Sequence, residues 1–275
     1  MRAYASAFLL ASSLMLAAPV PAAAQMTEVD VELVLAVDVS RSMDLEDQRV
    51  QRDGYIAAFR HPEVIQAISS GEIGRIAVSY VEWAGSAYQN VVVPWTIIAN
   101  DADALAFADK LEANEPANQR GTSISNGLTF AAQLFETSGV AGLRQTIDVS
   151  GDGANNMGPP IMPTRDRVVA QGITVNGLPI MIRPALSATI EPFGIADLDV
   201  YYEDCVIGGP GAFMITVKDV SQFQAAIRRK LVLEIAGLEP QPRFIPVAEM
   251  VKQPRIDCLV GERTRGRFFI PEEDR

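Results

Sequence analysis

The stretch VELVLAVDVSRSM, residues 31–43, decides the fold of this chain. Its first seven residues form a near-continuous apolar run, which is typical of a strand buried on both faces of a parallel sheet. The run ends at Asp38, and Ser40 and Ser42 follow at alternate positions. Three oxygen-bearing side chains at that spacing suit a helix cap, a proton transfer or a bound metal ion.

Strand and helix patterns alternate along roughly the next 200 residues, which predicts an α/β fold. After the first strand, the predicted strands are 75–83, 90–95, 144–150, 173–180 and 212–217. The first predicted helix begins at Asp44, and RHPE (60–63) ends or interrupts it. Further helices are predicted at 100–113, 123–136, 164–172, 197–206 and 220–237. The short linker before residue 90 indicates antiparallel pairing. We therefore expect a three-layer, doubly wound fold with a mostly parallel central sheet, one antiparallel edge strand and helices on both faces.

The first 24 residues have the pattern of a secretory signal peptide. Arg2 is the only charge before Glu28, and an apolar stretch of roughly a dozen residues leads to a small-residue A-x-A site. We expect cleavage after Ala24 and a periplasmic or secreted protein, with an uncleaved N-terminal anchor as the alternative. The apolar stretch is shorter than the roughly 20 residues of a spanning helix, and no other segment is long and apolar enough to span.

The charge of the chain restricts its partners. The net charge is −11, and removal of the single positive charge on Arg2 would make it −12. A chain this acidic should not bind nucleic acid or an anionic membrane by electrostatics, whereas it attracts divalent cations and basic partners.

Cys205 and Cys258 are the only two cysteines, and both lie in the exported part. An oxidising compartment favours one disulfide between them, with two free thiols as the alternative. Two cysteines and one distant histidine do not make a zinc site. Periodicity stops after Gly237, so the domain should span 28–237, and the proline-rich residues 238–275 should form an extended tail that Cys258 holds down.

Polar side chains follow several of the predicted elements. Ligands of open α/β sheets bind outside the carboxyl ends of the strands. The candidates there are Asp38, Ser40 and Ser42 after the first strand, Thr122 in QRGTSIS (119–125) and Asp152 in SGDGANN (150–156). We expect these loops to meet on one rim, where carboxylates and hydroxyls without thiolate or imidazole suit Mg²⁺, Mn²⁺ or Ca²⁺.

This set resembles the metal-ion-dependent adhesion site of von Willebrand factor A-type domains, over roughly residues 30–236 and including the order of strands and helices. More closely, the segments YVEWAG, VVPW, GTSIS, GITVNGLPI, DCVIGGPGAF and IRRKLVLEIAG resemble a bacterial family of exported proteins with this domain, whose function is uncharacterised. The resemblance implies that Ser40 and Ser42 bind the metal directly. Thr122 would bind it directly in one state and through water in another, and Asp38 and Asp152 would act mainly through water.

The resemblance also implies that an acidic side chain of a partner protein fills the free coordination position. Two features depart from the pattern. The third loop reads Ser-Gly-Asp-Gly (150–153) instead of Thr-Asp-Gly, and residues 181–211 are longer than in the minimal domain, so that they could cover the metal face.

We therefore expect an exported module that uses a divalent cation to capture an Asp or Glu carboxylate of a protein partner, rather than an enzyme. A Mg²⁺-dependent phosphatase-like enzyme with Asp38 as nucleophile is one alternative, although Ser40 stands where that chemistry wants a second acid. A scaffold domain with a metal-free rim is the other. The single histidine, His61, lies at a helix end, and no G-x-S-x-G motif is present, so a Ser-His-Asp hydrolase is not expected.

Overall fold

The strand predicted from the opening stretch lies at the centre of the main sheet. The computed structural model describes residues 26–182, 195–238 and 255–268. The strands in these ranges are β1 (Thr27–Val29), β2 (Glu32–Asp38), β3 (Ile76–Trp83), β4 (Gln89–Ile98), β5 (Val140–Gly142), β6 (Gln145–Gly151) and β7 (Thr174–Pro179). The helices are α1 (Leu45–Phe59), α2 (Pro62–Ser69), α3 (Asp101–Glu112), α4 (Ile124–Phe135), α5 (Ile161–Val169), α6 (Leu198–Tyr201), α7 (Phe223–Ala236) and α8 (Val260–Phe268).

The main sheet has five strands in the order β4-β3-β2-β6-β7. β2 pairs in parallel with β3 and β6, β6 pairs in parallel with β7, and β4 runs antiparallel to β3 at the edge. This arrangement confirms the expected α/β fold with one antiparallel edge strand. A second, small parallel sheet of β1 and β5, which the sequence pattern did not predict, lies beside it.

Alternate residues of β2 enter two separate hydrophobic cores. Leu33 and Leu35 pack in a core with residues of α1, α2, α3 and α7, whereas Val34 and Ala36 pack in a core with residues of α4, α5 and α6. Side chains of a strand alternate between the two faces of its sheet. β2 is therefore buried on both faces and holds its last residue, Asp38, in a fixed position.

Residues 60–63 interrupt the helical segment, as expected, because α1 ends at Phe59 and α2 begins at Pro62. Two other predictions about the elements were wrong. Residues 212–217 form only isolated bridges, Gly177 with Met214 and Ile180 with Val217, instead of a regular strand. The amide of Phe213 is bonded to the side chain of Asn176 at 3.0 Å, which takes a donor that a regular ladder would use.

The second error concerns the tail. Residues 238–275 were expected to be extended, but α8 lies within them. The expected signal peptide, residues 1–24, lies outside the described residues, as do residues 183–194 of the long insertion. Among the helices that are described, none is long and apolar enough to cross a membrane.

Candidate metal site

The candidate site lies where β2 and β6 end side by side. Both strands are parallel, so their carboxyl ends are at the same edge of the sheet. The strand order also reverses at β2, because β3 and β4 lie on one side of it and β6 and β7 lie on the other. α/β folds bind ligands at such a reversal of strand order. Asp38 is the last residue of β2, and Asp152 directly follows β6.

Four of the five predicted metal residues form one hydrogen-bonded chain. The backbone amide of Ser40 donates to Asp38 Oδ1 at 2.7 Å. The hydroxyls of Ser40 and Ser42 are 2.8 Å apart, and Ser42 Oγ donates to Asp152 Oδ1 at 2.6 Å. The alternate spacing in the sequence thus brings the two serine hydroxyls together, and Ser40 and Ser42 join Asp38 to Asp152.

Thr122 is held beside this chain by backbone contacts. Gln119 pairs with the first loop, because its amide donates to Val39 O at 2.9 Å and its carbonyl accepts from Arg41 N at 2.8 Å. Thr122 in turn donates its amide to Asn156 Oδ1 at 3.1 Å and accepts from Asn156 N at 2.9 Å. Thr122 therefore lies between the first and third loops, and its side-chain role as a metal ligand stays a prediction.

The site is buried at one end, here called its floor, and exposed to solvent at the other. Asp38 is 0% exposed and Ser40 is 1% exposed, whereas Ser42 is exposed and Asp152 is partly exposed. Burial, and then the charge of Asp152, raise the pKa of Asp38 well above its usual value, against the opposing hydrogen bonds from Ser40 and from the backbone of Asp152. A cation at this place would favour the charged form of both carboxylates.

The donor set fits a small, hard cation. Within the described ranges, Asp38 Oδ2 is buried and has no hydrogen-bond partner, which is costly for a carboxylate oxygen unless a ligand, an ion or a neighbouring donor satisfies it. No group of three or more His, Cys, Asp or Glu side chains suited to a metal occurs in that part of the chain. Two carboxylates with hydroxyls are the ligand type of Mg²⁺, which keeps several of its waters.

A polar face of α1, which was not predicted from the sequence, contacts the loops of the site. Gln48 Nε2 donates to Ser40 O at 3.0 Å, and Gln51 Nε2 donates to Ser150 Oγ at 2.6 Å. Arg52, one residue further, forms a buried ion pair with Glu82. The positions 48, 51 and 52 follow the i, i+3, i+4 spacing of one helix face, so the pattern was visible, but polar residues on such a face usually indicate solvent.

Asn155 and Asn156 connect the third loop to its surroundings. Both side chains are buried. Asn155 Oδ1 accepts from Ser125 N at 3.0 Å, and Asn155 Nδ2 donates to Glu262 Oε1 of α8 at 2.7 Å. The tail helix thus contacts the loop that carries Asp152.

The cysteine pair anchors this tail. Cys205 and Cys258 form a disulfide with a Cα–Cα distance of 5.6 Å. Cys205 lies in a π-helical turn (Tyr202–Val206) that continues α6, and Cys258 lies two residues before α8. The described part of the insertion, residues 195–211, leaves Ser42 exposed. Residues 183–194, which could also cover the metal face, lie outside the described ranges.

A family described as "Protein of unknown function (DUF1194)" matches residues 28–239. The chain belongs to this family. No curated protein is similar to this DUF1194 chain in sequence.

Solved structures are similar to the DUF1194 chain in fold. Proximal thread matrix protein 1 from the mussel byssus, with a zinc-occupied MIDAS motif, has a TM-score of 0.52 and 17% identity over 78% of this chain and 49% of that chain. The pilus adhesin SpaC from Lactobacillus rhamnosus GG has a TM-score of 0.54 and 15% identity over 77% and 31%. A von Willebrand factor type A structure from Catenulispora acidiphila has a TM-score of 0.49 and 16% identity over 76% and 43%.

The matched region spans half or less of these proteins. The two similarities above a TM-score of 0.5 show a shared fold, which confirms the expected von Willebrand factor A-like architecture of the DUF1194 chain.

Proposed function

We propose that this protein is an exported binding module that uses a divalent cation to capture an acidic group of a partner protein. The observation that carries the proposal is the chain of hydrogen bonds from buried Asp38, through Ser40 and Ser42, to Asp152 at the surface. It joins two carboxylates from loops far apart in sequence around neutral hydroxyls, and its outer end is open to a partner.

The five residues would have two different roles. Ser40, Ser42 and Thr122 would hold the cation through their oxygens, and Asp38 and Asp152 would orient its waters. When bound, the cation would supply a positive charge and a coordination position for a carboxylate of the partner. Because the direct ligands from this chain would be neutral, that position favours an anionic ligand, whereas the closed floor excludes solvent from the buried side.

The similar structures support this proposal at the level of the fold. The mussel protein holds zinc in its MIDAS motif, and SpaC is a pilus adhesin. The cation of this chain is Mg²⁺, with Mn²⁺ or Ca²⁺ as alternatives, because its donors are all oxygen. The expected signal peptide and the Cys205–Cys258 disulfide favour a periplasmic or secreted location.

We also propose that Ser40 and Ser42 have a binding role and not a catalytic one. His61, the single histidine, caps α2, where its Nδ1 accepts from Glu63 N at 3.2 Å. It therefore serves a helix end and does not act as a base for Ser40 or Ser42. A phosphomonoesterase activity of the Mg²⁺-loaded protein that disappears in Asp38→Asn would contradict this proposal.

An array of peptides that contain Asp or Glu, each matched with its Asn or Gln counterpart, tests the capture of acidic groups. The mature chain, residues 25–275, should bind a subset of the acidic peptides with Mg²⁺ and lose them with a chelator. The amide counterparts should not bind. Equal binding of acidic and amide peptides, or binding that ignores the chelator, would contradict the proposal.

A further inference from the structure

The insertion after β7 sends one buried tyrosine toward the floor of the candidate site. Tyr202 begins the π-helical turn and is 0% exposed. An ideal Cβ on Gly151 would lie 2.8 Å from Asp38 Oδ2 and 3.0 Å from the Tyr202 hydroxyl. Both oxygens therefore lie within about 3 Å of the same point, in space that only a glycine at position 151 leaves free.

Two glycines on neighbouring strands make the slot that admits this side chain. A Cβ on Gly177 of β7 would lie 2.7 Å from Tyr202 Cδ1, so the ring passes directly over that residue. Gly177 pairs with Val149 in β6, and Gly151 lies two residues beyond Val149, on the same face of the sheet. The ring thus crosses from β7 to the end of β6 and brings its hydroxyl to the Asp38 side of the floor.

Both oxygens that meet there lack a partner. In the portion of the chain described, the Tyr202 hydroxyl and Asp38 Oδ2 are each buried without a hydrogen bond. The other oxygen of Asp38, Oδ1, is bonded to Ser40 N. A hydroxyl donor beside an unsatisfied carboxylate oxygen is a complementary pair, and buried polar groups are nearly always satisfied in a functional state.

The backbone around Tyr202 is arranged for this contact. Consecutive side chains of a regular α-helix point about 100° apart and therefore face different neighbours. Tyr201 and Tyr202 are consecutive, but both of their side chains extend to the third loop. Tyr201 Oη accepts from Asn155 N at 3.1 Å, and Tyr202 reaches Gly151. Single π-turns inside helices occur frequently at functional sites.

We propose that Tyr202 is a positioning residue of the cation site, whose hydroxyl donates a hydrogen bond to Asp38 Oδ2 when the cation is bound. The hydrogen bond fixes the rotation of the carboxylate and leaves its Oδ1 side toward the serine loop. This inference rests on the proposed function, because it assigns a supporting group to the same site. The partner of a metal-orienting carboxylate typically changes metal affinity by about 10- to 100-fold when it is removed.

The test is Tyr202→Phe, which removes the hydroxyl and keeps the ring in its slot. Calorimetric titration of the mature chain with Mg²⁺ and Mn²⁺ should show affinity about 10-fold or more weaker than in the wild type. With a chelator, the melting temperature should be unchanged or higher, because the variant loses a buried hydroxyl that has no partner. A hydroxyl with a purely structural role would instead lower the melting temperature in chelator.

Tyr55→Phe is the matched control. Tyr55 is also fully buried, but it packs in the other core, against Tyr80, and the Ser150 side chain lies beside its hydroxyl. Its removal should leave cation affinity within twofold of the wild type.

The outcomes separate the two proposals. A wild type that binds cation together with a Tyr202→Phe variant of equal affinity would overturn the role of Tyr202 alone. A Tyr202→Phe variant that melts well below the wild type in chelator would also overturn it. A wild type that binds none of the cations would overturn the proposed function and this inference with it.

Discussion

Ser42 Oγ donates a 2.6 Å hydrogen bond to Asp152 Oδ1, although the two residues are 110 positions apart in the sequence. The bond joins the loop after β2 to the loop after β6 at the exposed end of the candidate site. It is the contact through which the two halves of the sheet share one cluster of oxygens, and it is the most accessible part of that cluster.

Ser42→Ala should weaken cation binding without unfolding the protein. Ser42 is exposed, so the loss of its hydroxyl leaves no cavity, but it removes one candidate ligand and one hydrogen bond to Asp152. The rise in melting temperature on addition of millimolar Mg²⁺ should largely disappear. Thermal melts with Mg²⁺ and with chelator measure this difference.

Asp44→Ala is the control in the same loop. Asp44 Oδ1 accepts from Asp47 N at 2.9 Å and caps α1, so its loss should cost about 1 kcal/mol of stability. The Mg²⁺-dependent rise should persist. If Asp44→Ala abolished the rise and Ser42→Ala did not, the assignment of ligands in this loop would be wrong.

Gly151→Ala should damage both the fold and the site. Its methyl group would lie 2.8 Å from Asp38 Oδ2 and 3.0 Å from the Tyr202 hydroxyl, closer than carbon–oxygen contacts allow. Overpacking of this kind costs about 1–3 kcal/mol. Urea unfolding in chelator should show that loss, and cation titration should show no binding. Wild-type stability and affinity in this variant would mean that the floor is open and not packed as described.

The free energy of unfolding should fall with rising pH because of Glu234. Burial, and then the charge of Asp148, raise the pKa of Glu234 to about 7 from a usual 4.5, against the opposing effect of Lys230. Between these two values the folded protein keeps a proton that the unfolded chain has lost, so rising pH favours unfolding. The slope is at most about 1.4 kcal/mol per pH unit for one proton.

Glu234→Gln should flatten this pH dependence. Urea unfolding of the wild type and the variant at several values between pH 4.5 and pH 7 measures it. Glu112→Gln is the control, because Glu112 is exposed on α3 and pairs with Arg60 at the surface. The same slope in the wild type and Glu234→Gln would show that another group is responsible.

Removal of the Cys205–Cys258 disulfide should loosen the loop that carries Asp152. The crosslink holds the segment before α8, and α8 contacts Asn155 through Glu262. Replacement of both cysteines by serine should cost about 2–4 kcal/mol. Hydrogen exchange of the Asn155 and Asn156 amides should become faster.

Gly261→Ala provides an independent route to the same result, because it keeps both cysteines. A Cβ at Gly261 would lie 2.2 Å from Asn155 O, so α8 must move away from the loop. Exchange at Asn155 and Asn156 that stayed slow in both variants would show that α8 does not support the third loop.

The five strands of the main sheet and the four bonded site residues could be predicted because their signals are local. β2 is a near-continuous apolar run, and Asp38, Ser40 and Ser42 follow it at a spacing that one turn can aim at a point. Asp152 follows β6, a second strand of the same sheet. The parallel order of β2 and β6 then brings both loops to one edge of the sheet.

Other parts of the site depend on contacts that no local pattern contains. Tyr202 reaches Asp38 only because Gly151 and Gly177 on neighbouring strands leave a slot. The tail helix α8 is short and charged, and its proline-rich surroundings predicted an extended segment. The helix is instead held by a disulfide and by Asn155. The polar face of α1 was not predicted as part of the site because it contains Gln48 and Gln51, and glutamine side chains usually face solvent.

Calorimetric titration of Mg²⁺ into the wild-type chain from residue 25 onward, and into the same chain with Asp38→Asn, is the most direct test of the cation site. Asp38 is buried at the floor of the cluster, and its Oδ2 has no partner in the described part of the chain. We expect one bound cation per wild-type chain and no measurable binding to Asp38→Asn, with both proteins folded. Equal binding by the two proteins, or no binding of Mg²⁺, Mn²⁺ or Ca²⁺ by the wild type, would contradict it.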